Sequence, residues 1–273
     1  MQIETIKFFE EDENVSLTSY IRDNNDELCT PPRPALVICP GGGYEFLSER
    51  ESEPVAMAFL AEGFNCFILR YSVKEKAANF APLIQASLSI KHIRENHIKY
   101  NINPKRIFIV GFSAGGHLAA SAGILWNHTN VIKALGDAEY GINRPDGMIL
   151  SYPVISAFDH PHFGSIYAVC GSDHPSEELR KQFSLEYHIK KGTTCPAFIW
   201  HTFEDSLVPV QNSLCLVNAL AAEQVPFEFH VFPRGPHGLS LASMETAYHY
   251  KEAFIPEAQE WVKLAVRWTE NLK

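Results

Sequence analysis

No two of the six cysteines, Cys29, Cys39, Cys66, Cys170, Cys195 and Cys215, form a C-x-x-C pair, and no metal-finger spacing links them. A zinc ribbon or dithiol redox centre is thereby excluded. Cys39 and Cys66 sit inside apolar runs and read as small core residues kept reduced. Basic runs are missing too. With 23 Lys and Arg against 32 Asp and Glu, the formal net charge is -9, so nucleic acid is not an expected partner. No apolar stretch reaches the ~20 residues of a membrane span. The opening residues, Met1-Gln2-Ile3-Glu4, show no basic segment followed by an apolar one. The expectation is a chain with no signal peptide, no membrane partner and a cytoplasmic location. There is no repeat of fixed period and no low-complexity linker, which predicts one domain over 1–273.

What is present is an ordinary globular balance, 46% hydrophobic and 20% charged over 273 residues. A chain of this size buries roughly three quarters of its unfolded surface and needs no disulfides to fold. The segment 1–32 reads as two weak strands, 3–9 and 15–21, closed by Pro31 and Pro32. From there apolar runs alternate with helical patterns. Runs at 35–39, 66–71, 106–112, 147–152, 197–202 and 227–232 predict strands. Segments 48–62, 82–97, 114–126, 175–183, 210–223 and 256–272 predict helices; in 82–97, Leu83, Ala86, Ile90, Ile93 and His97 share one face. Strands that are apolar throughout are buried on both faces, so the expected fold class is α/β, a mostly parallel central sheet with helices on both faces. Two stretches lack a period, 127–146 and 154–174, and are expected to form a small lid region or pocket walls.

Gly111-Phe112-Ser113-Ala114-Gly115 follows an apolar run and opens an alanine-rich helical segment. The spacing G-x-S-x-G in that setting marks a nucleophile turn: the serine oxygen must stand exposed on a strained turn that neighbouring chain crowds, so the positions two before and two after must be small. Ser113 is the expected nucleophile. The following helix points its free N–H groups at the site, and Ala114 supplies one oxyanion donor. A second donor is expected from an earlier loop. Pro40-Gly41-Gly42-Gly43-Tyr44 fits, and the amides of Gly42 and Gly43 are the expected pair. Pro40 stands where the common form of this motif has His, which removes a side chain but leaves the amides. Tyr44 is expected either to touch substrate or to pack in the core.

The chain order for such a site is Ser, then an acid, then His. Asp205, just past the run 197–202, lies where strand ends gather catalytic groups. Glu204 is the neighbouring alternative, Asp146 reads as a turn residue, and Asp137, Asp159 and Asp173 fall in irregular stretches. Of the 12 histidines, His237 lies in Gly235-Pro236-His237-Gly238, just past the last run. It is the expected base, oriented by Asp205. His92 and His97 belong to a helix, His117 packs under the nucleophile turn, and His201 lies in a strand. His160 and His162 lack a third partner for a metal. No metal and no cofactor are expected.

With these motifs, together with His201-Thr202-Phe203-Glu204-Asp205-Ser206-Leu207-Val208-Pro209, the chain resembles the α/β-hydrolase esterases related to bacterial acetyl-xylan and feruloyl esterases. The likeness runs from about residue 33 to the C-terminus. It implies an α/β-hydrolase fold, the triad Ser113, Asp205 and His237, an oxyanion loop at Gly42 and Gly43, and removal of a short acyl group, acetyl above all, from a sugar. The expected partner is a small-molecule ester; without an export signal, small acetylated oligosaccharides suit better than polymeric xylan. A homodimer is carried only because two-fold dimers are common. Three rivals stay open. A prolyl-oligopeptidase-type peptidase shares the triad order but normally carries a large extra domain, for which the length leaves no room. An amide hydrolase of the aryl-formamidase kind and a non-catalytic binding protein on the same fold are the others.

Overall fold

The computed structural model describes residues 1–7, 12–24, 27, 31–247 and 251–272. Cys29 and the end of the expected strand 3–9 lie outside them. The strands are β1 (Gln2–Ile6), β2 (Ser16–Ile21), β3 (Arg33–Cys39), β4 (Asn65–Arg70), β5 (Ile102–Phe112), β6 (Gly147–Ser151), β7 (Ala197–Thr202) and β8 (Phe227–Phe232). They form one eight-stranded sheet in the order β1-β2-β4-β3-β5-β6-β7-β8. β2 runs antiparallel to β1 and β4; every other pair is parallel. The helices are α1 (Glu53–Ala61), α2 (Ala81–Glu95), α3 (Ala114–Ile124), α4 (Thr129–Leu135), α5 (Phe163–Cys170), α6 (Glu177–Gln182), α7 (Gln211–Ala222), α8 (Pro256–Gln259) and α9 (Trp261–Asn271).

Alternating side chains on each strand feed two cores. Leu36, Ile38, Phe108, Val110, Ile149, Phe198 and Trp200 face one side, under α1 and α9. Val37, Ile107, Ile109, Met148, Leu150 and Ile199 face the other, under α2, α3 and α7. On the first side Trp261 stacks on Trp200, ring centroids 5.3 Å apart, and meets Phe59 and Phe112 edge-on or tilted. Both faces are therefore closed, as continuous apolar strands require.

Three expectations change in detail. β8 is not buried on both faces: it is the sheet's last strand, and Phe227 and Val231 are exposed. Its Glu228 and His230 bind each other at 2.7 Å, which suits an edge. The predicted helix 48–62 is a 3-10 turn, Glu49–Glu51, then α1, with Ser52 in a non-helical conformation between them. The stretch 127–146 contains α4, and 154–174 contains α5.

Candidate active site

Parallel strands present all their C-terminal ends on one rim, and the loops after β3, β5, β7 and β8 meet there. Ser113 stands between β5 and α3 with φ 55° and ψ -117°, a conformation that costs a non-glycine residue free energy. The surrounding chain imposes it. The Ser113 amide donates to the Ser151 carbonyl at 3.0 Å, and the Ser113 carbonyl accepts the Val154 amide at 3.1 Å. The two flanking glycines are needed for close approach. A β-carbon on Gly111 would lie 2.0 Å from the Gly115 carbonyl oxygen, and one on Gly115 would lie 2.1 Å from that of Cys39.

The Ser113 hydroxyl donates to His237 Nε2 at 2.8 Å, and His237 Nδ1 donates to Asp205 Oδ2 at 2.6 Å. The structure thus joins the three residues into one hydrogen-bonded chain. Asp205 Oδ1 accepts the amides of Leu207 and Val208 at 3.0 and 2.9 Å. Burial pushes the Asp205 carboxyl up, but bonds from His201 and His237, the His237 charge and the Val208 amide outweigh it and hold the group well below the usual carboxylate range. Glu204 is turned elsewhere and accepts the Gly235 amide at 3.1 Å. Asp146 accepts the Ile107 amide at 2.8 Å, at the other end of the sheet.

Two supporting residues escaped the sequence reading. His201, fully buried, accepts a hydrogen bond from the Ser213 hydroxyl at Nδ1 (2.8 Å). Its Nε2–H therefore faces the Val208 carbonyl at 2.8 Å and Asp205 Oδ2 at 3.3 Å. The spacing of His201 and Asp205, four apart across a strand end, was the available signal. Glu51 is the second. Its Oε2 accepts the Gly41 amide at 2.8 Å, and its Oε1 accepts the Tyr152 hydroxyl at 2.7 Å. The Tyr152 oxygen in turn accepts the Ser240 amide at 2.8 Å, and the Tyr152 ring meets His237 edge-on at 5.1 Å. Its neighbour Arg50 donates to the carbonyls of Gly238 (2.9 Å) and Thr246 (2.6 Å). A carboxylate inside a predicted helix reads as surface, so nothing local pointed to Glu51.

The glycine loop folds back on itself. The Gly42 carbonyl accepts the amides of Glu45 and Phe46 at 2.9 and 3.2 Å, with Gly42 at φ 127°. The amides of Gly42 and Gly43 donate to no group among the described residues, and both residues line the cavity that holds Ser113. A β-carbon on Gly41 would stand 3.1 Å from that of Ser113, a measure of how near the loop lies. Ala114 is the first residue of α3, where N–H groups have no helical acceptor.

The cavity is about 520 Å³ and is flanked by Phe46, Leu207 and His162. Tyr44 does not reach it: the side chain turns into the core, donates to His117 Nδ1 at 2.9 Å and packs edge-on against Tyr71. The substrate-contact expectation for Tyr44 is therefore corrected to core packing. Its hydroxyl finds a buried acceptor there, the condition for burying a tyrosine. Of the two irregular stretches, 154–174 supplies His162 and Gly164 to the wall, and 127–146 supplies none. A helix after a parallel strand runs back against it, so the loop beyond α3 falls on the opposite rim. Among the described residues no group of three or more metal-ligating side chains occurs, and no helix is long and apolar enough to cross a membrane.

The sheet order and this rim define a class. The chain belongs to the α/β-hydrolase families: the model of the prolyl oligopeptidase family matches residues 90–259, and that described as BD-FAE matches 24–150. More particularly, it is 40% identical over 227 residues to endo-1,4-beta-xylanase B of Butyrivibrio fibrisolvens, covering 81% of this chain and 34% of the xylanase. It is 27% identical over 271 residues to the acetylxylan esterase of Xylanibacter ruminicola, covering 96% of this chain and 52% of the esterase. The chain thus spans between a third and about half of the length of these curated relatives. Among solved structures, the acetyl ester-xyloside bifunctional hydrolase of Caldicellulosiruptor lactoaceticus superposes with TM-score 0.81 at 35% identity, covering 98% of this chain and 95% of that one.

Proposed function

We propose that the protein is a serine carboxylesterase that removes short acyl groups, acetyl first among them, from sugar esters through an acyl-enzyme on Ser113. The observation that carries this reading is the Ser113–His237–Asp205 chain, at 2.8 and 2.6 Å, open to a cavity lined by glycine amides that have no acceptor among the described residues.

The tautomer follows from the acceptor. Asp205, held ionised, accepts the hydrogen bond from Nδ1–H and keeps the proton on that nitrogen, so Nε2 is free to receive the Ser113 proton as Oγ attacks the ester carbonyl. The carbonyl oxygen becomes an oxyanion beside the amides of Gly42, Gly43 and Ala114, donors fixed before the reaction starts. His237 then returns the proton to the departing alcohol. Water, activated by the same imidazole, attacks the acyl-enzyme, releases the carboxylic acid and restores Ser113. Asp205 stabilises the imidazolium without taking its proton.

Preference for acetyl on a sugar is supported by likeness to proteins named acetylxylan esterase and acetyl ester-xyloside hydrolase. One match favours a second reading: the prolyl oligopeptidase family model covers 90–259. Incubation with p-nitrophenyl acetate, acetylated xylo-oligosaccharides, an aryl formamide and a prolyl-peptide amide separates the readings. Ester turnover with Ser113 labelled by a fluorophosphonate is the expected result. Amide turnover without ester turnover would replace the esterase reading, and an unlabelled Ser113 in folded protein would end it.

A further inference from the structure

Among the described residues, His162 is the one cavity-lining histidine that the Ser113–His237–Asp205 chain does not use. Its proton position is fixed by its neighbours. The ring precedes α5 as its N-cap, and Nδ1 accepts the Ser165 amide at 3.3 Å with Ser165 Oγ at 2.8 Å. An N–H aimed at Nδ1 leaves no room for a proton there, so the proton is on Nε2. Nε2 has no hydrogen-bond partner among the described residues. Burial, with the His237 charge adding to it and Asp205 opposing, lowers the basicity of the ring.

The ring stands across the glycine loop. A β-carbon on Gly43 would have His162 Cε1 as its neighbour at 3.7 Å. The segment before it is held firmly: Asn212, fully buried, accepts the amides of Ile155 and Ser156 at 2.9 and 3.1 Å and donates to the His160 carbonyl at 2.9 Å. A rigid, preorganised donor is thus presented to whatever fills the cavity.

Resting on the esterase reading, we propose that His162 is a specificity-determining residue whose Nε2–H donates to an oxygen on the alcohol side of a sugar ester. The acyl side offers no acceptor to spare: an acetyl group carries only its carbonyl oxygen, which the Gly42, Gly43 and Ala114 amides take. Acceptors in reach of a further donor are the hydroxyl and ring oxygens of the alcohol. Simple aryl esters have none of these, so His162 discriminates between the two classes.

Two substitutions separate this role from capping. His162→Asn places Oδ1 near the position of Nδ1, keeps the cap and withdraws the donor; His162→Gln reaches the Nε2 position with an amide N–H but loses the cap. For an acetylated xylo-oligosaccharide, His162→Asn is expected to lower kcat/KM about 10-fold through KM, the loss of one neutral hydrogen bond. For p-nitrophenyl acetate the change stays within about 2-fold, and His162→Gln stays within about 3-fold of the unsubstituted protein on both esters. A normal Asn variant with a defective Gln variant would assign His162 to capping alone, and equal losses on both esters would place its donor on the carbonyl; either overturns the proposal. Calorimetric binding of the deacetylated xylo-oligosaccharide to Ser113→Ala protein, with and without His162→Asn, reads the same contact without turnover. An inactive unsubstituted protein would therefore count against the esterase reading while the roughly 10-fold weakening of binding still decides the role of His162.

Discussion

The proposed mechanism has Ser113, His237 and Asp205 act as a unit, so their removal has one expected size. Ser113→Ala, His237→Ala and Asp205→Asn should each lower kcat by on the order of 10³ or more, with the far-ultraviolet circular dichroism unchanged. Near-normal turnover of Asp205→Asn would move the role of acid to another residue. His201 acts through Asp205, since its Nε2–H faces Oδ2 at 3.3 Å. His201→Phe should lower kcat by roughly 10-fold while KM stays put, because it loosens the acid and not the substrate; a pure KM effect would contradict this role. At this scale the sequence was most legible where chemistry fixes spacing. G-x-S-x-G, the three glycines and the order of acid and base are local or ordinal features. Glu51 was illegible because its hydroxyl partner comes from distant chain, Tyr152 lying 101 residues away; His201 has its partners near in sequence, Asp205, Val208 and Ser213, and was passed over as a strand residue. Tyr44 carried two readings, and the buried acceptor on His117 settles which one the fold uses.

The strands β3 to β7 were readable as elements because burial on both faces leaves an unbroken apolar run. β8 broke that rule visibly: Phe227-Glu228-Phe229-His230-Val231-Phe232 alternates, as a strand at the sheet's edge does. α5 hid within an irregular stretch because it is only eight residues long and carries Gly164 in its first turn. The position of 127–146 followed from topology, which no local pattern encodes. Packing gives a prediction at this scale. Trp261 of α9 is fully buried against Trp200, Phe59 and Phe112. Trp261→Ala should cost about 3–5 kcal/mol, read as a lower denaturant midpoint, because a large cavity opens under the sheet. A loss below about 1 kcal/mol would mean that α9 contributes little to that face.

The whole molecule should lose stability on acidification, and the sign can be worked through. Burial pushes His117 down from the ordinary 6.5 to about 4, with a bond to the Phe183 carbonyl opposing. Below pH 6.5 the unfolded chain therefore binds a proton that the folded chain refuses. Stability contributed by the neutral ring is complete above that pH and is lost as the pH falls to about 4, on the order of 3 kcal/mol. Asp205, depressed below the usual range, adds a further loss in more acid solution. Melting temperature should fall between pH 7 and 4, and His117→Gln, which has no proton to gain, should flatten that fall. An unchanged slope in the variant would assign the loss to other groups. A last consequence belongs to Glu51. One of its oxygens fastens the glycine loop to which the proposed mechanism gives the developing charge; the other, by way of a phenol, fastens the loop of His237, to which it gives the proton. Both loops thus hang on a single clasp, and injuries to them should not multiply: once Glu51→Gln is in place, Tyr152→Phe should cost far less than it does alone, a coupling that a double-mutant cycle measures directly.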